Sequence, residues 1–171
     1  MDTDWDLKGL LKKMGMSSTY MQSSKIEPGA LSKDYDNTYY GRSSNKRLTA
    51  EMIRDHVLAI SGLLNTEIGG PPVKPYQPAG FWQQIVSEFG GEFKYIESNG
   101  LDLYRRSLYS HWRRTVPPPS MITLDASTRD KCTVKREATN TPLQSLVLLN
   151  DPQYVEASRI LAERMMREGG L

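Results

Sequence analysis

Residues 140–154 read "NTPLQSLVLLNDPQY", with two sites at which a polar residue stands directly before a proline. Thr141 and Gln144 fit the N-cap and third positions of a helix, a Thr-x-x-Gln variant of the capping box, with proline at the first position. Asp151 repeats the cap and begins a second helix. The intervening "LQSLVLLN" is apolar on almost every side, so we expect a buried helix there. The stretch therefore predicts two consecutive capped helices.

Helical spacing continues on both sides of this stretch. The second helix is expected to run to about Glu168 and to end at the glycines that follow. Upstream, Thr49 is a plausible N-cap for a helix that Asn65 can end. Its predicted apolar stripe consists of Met52, Ile53, His56, Val57, Ile60, Leu63 and Leu64. Residues 5–14 predict an earlier helix, whose apolar face is formed by Trp5, Leu7, Leu10, Leu11 and Met14.

Long loops separate these helices. Residues 17–47 are rich in Ser, Tyr, Asn and Gly, and "IGGPPVKPYQPAG" is typical of an extended loop. "FWQQIVSEF" predicts a short helix. In "LYRRSLYSHWRRT" the spacing of Tyr104, Leu108 and Trp112 favours a helix, although the composition also suits a strand. Residues 121–124 could form a short strand. The predicted fold is mainly α, a single domain over residues 1–171 with ordered Pro/Gly/Arg-rich loops and at most a minor β element.

Composition excludes several classes of protein. The formal net charge of the 171-residue chain is +2, with 25% charged residues, which gives no general attraction to nucleic acid. No apolar run approaches the length of a transmembrane helix, and the first residues do not form a secretory signal. Cys132 is the only cysteine, so an intrachain disulfide framework is excluded.

The familiar cofactor and metal motifs are absent. "DTDWD" opens like a calcium-binding loop, but the required glycine and glutamate positions hold Leu7 and Lys13. "GGEF" at residues 90–93 fits a turn better than a cyclase signature. The two histidines, His56 and His111, lack metal-ligand spacing. We expect no metal and no cofactor in this chain, and we expect His56 to be a core or interface residue.

One segment groups side chains suited to ligand binding. Arg105, Arg106 and Arg113 flank His111 and its aromatic neighbours. Guanidinium groups beside aromatic planes suit carboxylate, sulfate or phosphate groups, and aromatic faces suit sugar rings. The alternative is that these arginines pair with internal acids and hold loops in place. The complete set of candidate binding residues is Lys74, Tyr76, Arg105, Arg106, His111, Arg113, Arg136, Glu137 and Asn140.

Three blocks resemble successive parts of one family: "WDLKGLLKK…SSTYMQSS", "KRLTAEMIRDHVLAISGLLNTEIGGPPVKPYQPAGFW" and "YRRSLYSHWRRTVPPPSMITLDASTRDKCTVKREATNTPLQSLVLLNDPQYVEA". This family is the C-terminal domain of unknown function, number 1553 in that series, of planctomycete-type exported proteins. Met21 stands where relatives usually have arginine, and an earlier Asn-Arg-x-Trp block is not seen. We therefore expect the chain to begin inside the domain, with exposed apolar surface on its first helices.

The resemblance implies a context more than a mechanism. Its relatives are exported multidomain proteins, periplasmic or on the cell surface, that often carry cytochrome-c-like haem domains. The implied partners are other domains of the same polypeptide and, as a further possibility, a polysaccharide or an anionic ligand. The favoured hypothesis is a binding or scaffold module. The alternative is an enzyme acting on carbohydrate or a redox substrate, with a loop-built site drawn from Lys74, Tyr76, Arg105, His111 or Glu137; its catalytic residues are unknown.

Overall fold

The computed structural model describes residues 5–44, 47–82 and 95–169. Contacts divide the chain into two compact units, residues 1–47 and residues 48–171. The described part is mainly helical, and its β structure is limited to isolated bridges, which confirms the predicted fold class. The expectation of a single domain stays a prediction. Most of the predicted "FWQQIVSEF" helix and the "GGEF" turn lie outside the described residues.

The first unit contains helix α1 (Leu7–Gly15) and the short helix α2 (Ala30–Lys33). Asp6 caps α1 by accepting a hydrogen bond from the main-chain nitrogen of Gly9 at 2.9 Å. The apolar side chains of α1 are exposed, in agreement with the expected exposed surface. After α2, the Asp34 carboxylate accepts hydrogen bonds from the main-chain nitrogens of Thr38 and Tyr39, which closes a turn.

Helix α3 (Ala50–Ser61) begins the second unit. The Thr49 hydroxyl caps it by accepting from the main-chain nitrogen of Met52 at 3.4 Å, as predicted. The helix ends earlier than predicted, because Gly62 adopts the left-handed conformation with φ 84° and its main-chain nitrogen binds back to the helix. Asn65 lies beyond this end and forms a bridge to Arg105.

The predicted apolar stripe of α3 is partly wrong. Met52, His56 and Ile60 are exposed, whereas the buried positions are Ala50, Arg54, Leu58 and Ser61. The inward face is therefore rotated toward Arg54, and His56 is not a core residue. The hydrophobic pattern did not predict this rotation, because the residue at the centre of the buried face is a charged arginine.

Helix α4 (Pro119–Thr123) replaces the predicted strand at residues 121–124. Pro119 stands at the start of the helix, where its fixed φ angle is already helical and its missing N–H costs no hydrogen bond. Met121 is buried in the core. Local backbone geometry set by the proline run therefore outweighs the β propensity of the apolar residues that follow.

Helices α5 (Pro142–Asn150) and α6 (Pro152–Glu168) confirm the two predicted caps. Thr141 and Gln144 form the complete capping box, and Asp151 accepts from the main-chain nitrogen of Gln153 at 3.0 Å. The prediction that α5 is buried is wrong. Only Gln144 is buried, because the nine-residue helix contacts its neighbours along one side and its other sides face outward. Its exposed leucines are Leu143, Leu146, Leu148 and Leu149.

The core of the second unit lies where α3, α4, α5 and α6 meet. Its buried side chains are Ala50, Met121, Leu124, Ala126 and Tyr154. Ile53, Val57, Trp112 and Val147 pack against this cluster and are partly exposed. The core thus joins residues from both ends of the second unit.

The predicted helix over "LYRRSLYSHWRRT" is absent. Residues Gly100–Tyr104 and Ser107–Tyr109 form two short 3₁₀ helices, and the backbone between and after them is extended. Leu108 is exposed while Trp112 packs on the core, so the helical spacing does not define one buried face. The segment is straightened because its main chain pairs with the preceding loop in parallel bridges, Asn65 with Arg105 and Val73 with Ser110.

Candidate functional site

The proline-rich loop lies against the arginine-rich segment and fixes the candidate residues on both. The main-chain nitrogen of Val73 donates to the Tyr109 carbonyl at 2.8 Å, and the nitrogen of His111 donates to the Val73 carbonyl at 2.7 Å. Lys74 exchanges two hydrogen bonds with Ser98, through its main-chain nitrogen and carbonyl. We call this pairing of residues 67–78 with residues 98–113 the loop crossing. It brings the proline-rich loop and the "LYRRSLYSHWRRT" segment together.

Arg105 is buried inside the loop crossing. Its guanidinium donates to the carbonyl of Pro71 at 3.1 Å and to the carbonyl of Gly69. The same group lies 4.0 Å from the centre of the Tyr109 ring, whose hydroxyl accepts from the main-chain nitrogen of Gly69. Main-chain carbonyls in an irregular loop have no strand or helix partner, so a five-donor guanidinium supplies what they need. Arg105 therefore holds the loop, as the alternative expected, but it does so through main-chain carbonyls rather than through acidic side chains.

Arg54 plays the corresponding part from α3 and was missed by the sequence analysis. It donates to the carbonyls of Leu103 at 2.8 Å and Arg105 at 2.7 Å, and to the Gln153 side chain at 2.9 Å. Burial lowers the pKa of Arg54, and the nearby Asp55 carboxylate opposes that shift. A guanidinium keeps its charge in proteins, so its burial is stabilised by these acceptors. The only sequence signal was an arginine one turn after an N-cap within an apolar pattern.

An aromatic and cationic cluster lies beside the loop crossing. The rings of Trp82 and Tyr95 stack with centroids 5.2 Å apart, and the His111 ring is tilted against Trp82 at 6.4 Å. Lys74 Nζ lies 5.9 Å from the centre of the Tyr95 ring, and the Arg113 guanidinium lies 5.9 Å from that of Trp82. Three predicted site residues, Lys74, His111 and Arg113, therefore come together.

This cluster determines the charge state of His111. Desolvation lowers the pKa of His111 from its ordinary value of 6.5, and the positive charges of Lys74 and Arg113 lower it further. The imidazole is therefore neutral at pH 7. The Tyr95 hydroxyl donates a hydrogen bond to the carbonyl of Pro75 at 2.5 Å. Burial raises the pKa of Tyr95, so this hydroxyl stays protonated and remains a donor.

Tyr76, two residues after Lys74, lines a separate cavity of about 280 Å³. The cavity lies between the proline-rich loop and helices α4, α5 and α6. Its apolar walls are formed by Tyr76, Pro78, Pro119, Leu146, Val147 and Pro152. Its polar lining is formed by Ser120, Thr123, Asn150 and Asp151. We call this the Tyr76 cavity.

Asp151 supplies the charge of the Tyr76 cavity. The pKa of the Asp151 carboxyl is raised, because burial outweighs the opposing effects of the hydrogen bond from the main chain of Gln153 and of the charge of Arg54. The same surroundings, burial first and the Asp151 charge second, raise the pKa of Tyr154 to about 12. The cavity thus combines an aromatic wall with one carboxylate and several neutral polar groups.

The remaining predicted site residues lie on exposed surface. Arg106 is exposed beside the buried Arg105. Arg136 forms an ion pair with Glu51 at 2.8 Å, which connects the exposed segment of residues 128–140 to the start of α3. Glu137 and Asn140 are exposed in the same segment. None of these four positions lines the Tyr76 cavity as far as the chain is described.

Hydrogen bonds among Asp125, Thr139 and Gln144 fix the end of this exposed segment. Thr139 donates from its main chain to the Asp125 carboxylate at 2.7 Å, and the Gln144 amide donates to Asp125 at 3.2 Å and to the Thr139 hydroxyl at 3.0 Å. Gln144 also accepts from the main-chain nitrogen of Thr141. Gln144 therefore caps α5 and anchors the incoming loop with the same side chain.

Within residues 5–44, 47–82 and 95–169, no group of three or more His, Cys, Asp or Glu side chains is arranged to hold a metal ion. No helix of that part combines the length and apolar character needed to cross a bilayer.

Comparison with known proteins places the chain in a family without assigning an activity. No curated protein and no solved structure matches it. A family profile described as "PSD1: Protein of unknown function (DUF1553)" matches residues 1–169. This match covers both compact units, and it agrees with the resemblance of the three sequence blocks. The chain belongs to the DUF1553 family of proteins of unknown function.

Proposed function

We propose that this domain is a glycan-binding module that holds one sugar unit in the Tyr76 cavity. The observation that carries the proposal is the lining, which combines an aromatic residue and prolines with hydroxyl, amide and carboxylate groups. Sugar rings present apolar C–H faces and a rim of hydroxyl groups, so they need both kinds of surface. Binding sites of this composition are typically concave and mostly apolar, with a few placed polar groups.

The size of the cavity limits the ligand. Its volume of about 280 Å³ lies just below the range of about 300–1,000 Å³ typical of sites for drug-sized molecules. A single ring therefore suits it better than a large cofactor. A longer glycan would place one unit in the cavity and continue over the surface.

Polar groups around the cavity match both donors and acceptors of a sugar. The Thr123 hydroxyl donates to the carbonyl of Pro119 at 2.9 Å, and one N–H of Asn150 donates to Leu146 at 2.9 Å. Each group keeps its oxygen as an acceptor for a ligand hydroxyl. The Ser120 hydroxyl can donate and accept. These positions sit on α4 and α5, so they are held by helices rather than by loops.

The experiment measures binding of defined oligosaccharides by the whole chain, first on a glycan array and then by calorimetry. Tyr76→Ala removes one wall and is expected to weaken binding by about tenfold or more, which corresponds to about 1.4 kcal/mol. Tyr39→Ala is the matched control, because Tyr39 is an exposed tyrosine outside the cavity lining. Absence of binding to every glycan, or equal affinity of Tyr76→Ala and wild type, would contradict the proposal.

The wider context of the module is also a proposal. The family resemblance supports an exported multidomain protein, periplasmic or at the cell surface, in which other domains of the polypeptide are partners and carry haem c. Fractionation of cells that make the full-length protein, followed by a haem stain of the purified material, tests this. Recovery in the cytoplasm without covalently attached haem would remove the proposed context.

A second candidate function is an enzyme acting on carbohydrate or a redox substrate. The aromatic and cationic cluster favours it, because Lys74 and Arg113 flank a neutral imidazole that can accept a proton. His111→Gln is expected to abolish turnover of any substrate found by screening, whereas His56→Gln on exposed α3 surface is expected to leave it unchanged. Equal turnover by His111→Gln and wild type would exclude His111 as the base.

A further inference from the structure

We propose that Asp151 makes the Tyr76 cavity selective for neutral sugar units and against acidic ones such as uronates. This inference rests on the proposed glycan-binding function and adds the ligand class. Among the described residues that line the cavity, Asp151 alone carries a formal charge. Every other lining group is an apolar, hydroxyl or amide side chain, so this carboxylate is the only lining side chain that contributes a net charge.

The orientation of the carboxylate is fixed by the helix that it caps. One oxygen, Oδ1, accepts from the main-chain nitrogen of Gln153 at 3.0 Å at the start of α6. The second oxygen accepts no hydrogen bond from the described part of the chain. An ionised carboxylate can only accept hydrogen bonds. It therefore suits a sugar hydroxyl, which donates, and it repels a ligand carboxylate or sulfate at the same position.

The nearby positive charge does not reverse this preference. Arg54 is buried, and its guanidinium is directed at the carbonyls of Leu103 and Arg105 and at the side chain of Gln153. Its charge favours the ionised form of Asp151, and Arg54 does not line the cavity. The exposed or half-exposed cations Lys74 and Arg113 belong to the aromatic and cationic cluster, which the cavity lining does not include. A ligand in the cavity therefore meets the carboxylate and no described cation.

The test uses pairs of oligosaccharides that share one linkage and differ only in whether C6 is a hydroxymethyl group or a carboxylate. Wild type is expected to bind the neutral member at least about tenfold more tightly than its oxidised counterpart at pH 7. Asp151→Asn keeps an N-cap residue of the same shape and removes the charge. Its preference is expected to fall to within about threefold.

Asp130→Asn is the matched control, since Asp130 pairs with Arg114 on the surface and lies outside the cavity lining. It should keep the wild-type preference. Asp151→Ser, which also retains an N-cap, repeats the test if the asparagine variant melts at a lower temperature. If no oligosaccharide of either kind binds, the proposed function fails.

Equal binding of both members by wild type overturns the selectivity and leaves the glycan module standing. An unchanged preference in both Asp151 variants does the same. A wild-type ratio near one overturns the inference however the variants fold, and a wild-type preference that both Asp151 variants lose supports it.

Discussion

The loop crossing together with Arg54 of α3 buries charged side chains, whereas helix α5 exposes leucines. Arg54 and Arg105 have exposed fractions of 4% and 3%, whereas Leu149 on α5 has an exposed fraction of 73%. Both arginines donate to main-chain carbonyls of loop residues. The leucines of α5 surround a helix whose own main chain is internally bonded. The difference shows that unsatisfied backbone groups, more than side-chain polarity, decide what is buried in the loop crossing.

A helix satisfies most of its own carbonyls and a strand pairs with its neighbour, but the proline-rich loop has neither arrangement. Prolines lack the donor N–H, and only three isolated bridges occur in the described part of the chain. A buried carbonyl without a donor costs free energy comparable to a lost hydrogen bond. A guanidinium with five donors offsets several such costs at once. Arg54 and Arg105 therefore supply hydrogen bonds of the kind that a β ladder would otherwise provide.

The largest expected effect comes from Arg54→Met. It leaves the carbonyls of Leu103 and Arg105 without their donor and removes the positive charge beside Asp55. We expect the free energy of unfolding in urea to fall by about 3–5 kcal/mol, as for other broken buried charge networks. Arg114→Met is the control, because its ion pair with Asp130 is exposed. A loss below about 1 kcal/mol for Arg54→Met would break the comparison.

The second prediction tests the other half of the comparison with two leucines. Leu58→Ala, at a position with an exposed fraction of 2%, is expected to lower the free energy of unfolding by about 2–5 kcal/mol. Leu149→Ala on α5 is expected to change it by less than about 0.5 kcal/mol. Urea denaturation of both variants measures the contrast. A comparable loss for the two would mean that the outward side of α5 is covered in solution.

The third prediction tests whether Arg105 needs its planar guanidinium group or only its positive charge. Arg105→Lys keeps a cation but loses the planar fork to Gly69 and Pro71 and the stacking on Tyr109. We expect about 2 kcal/mol lower stability and faster amide hydrogen exchange at Gly69. Arg106→Lys, at the exposed neighbouring position, should leave both unchanged. Wild-type exchange at Gly69 in Arg105→Lys would argue that charge alone holds the loop.

Local signals predicted the helix starts well. Thr49, Thr141 and Asp151 cap their helices as expected, since a cap is settled by a few consecutive residues. The ends and faces of helices were less predictable. Gly62 ended α3 before Asn65 could, and Arg54 turned the buried face away from the apolar stripe. The rotation of the buried face depends on residues far away in the chain, as in the bond from Arg54 to Leu103, whereas the end at Gly62 is a local C-cap.

The candidate site was predictable only as a set of residue types. The grouping of Lys74 with His111 follows from the parallel pairing of two irregular segments, which has no periodicity to detect. The Tyr76 cavity joins one predicted residue to positions on three helices, among them Asp151, whose cap role was visible but whose second role was not. Arg105 was chosen as a ligand-binding candidate, and its carbonyl partners became apparent only with the loop in place.

The smallest expected effect is a pH dependence of stability that arises from His111 in the loop crossing. Its pKa in the folded state lies below the ordinary value of 6.5, so near that pH the folded state binds fewer protons than the unfolded state. The free energy of unfolding should therefore fall as pH decreases from 7 through the lowered pKa. In His111→Gln this part of the decrease should disappear. Urea melts between pH 7 and 5 measure the slopes. Identical slopes for His111→Gln and wild type would show that protonation of His111 does not affect the free energy of unfolding, in contrast to the role of Arg54 and Arg105.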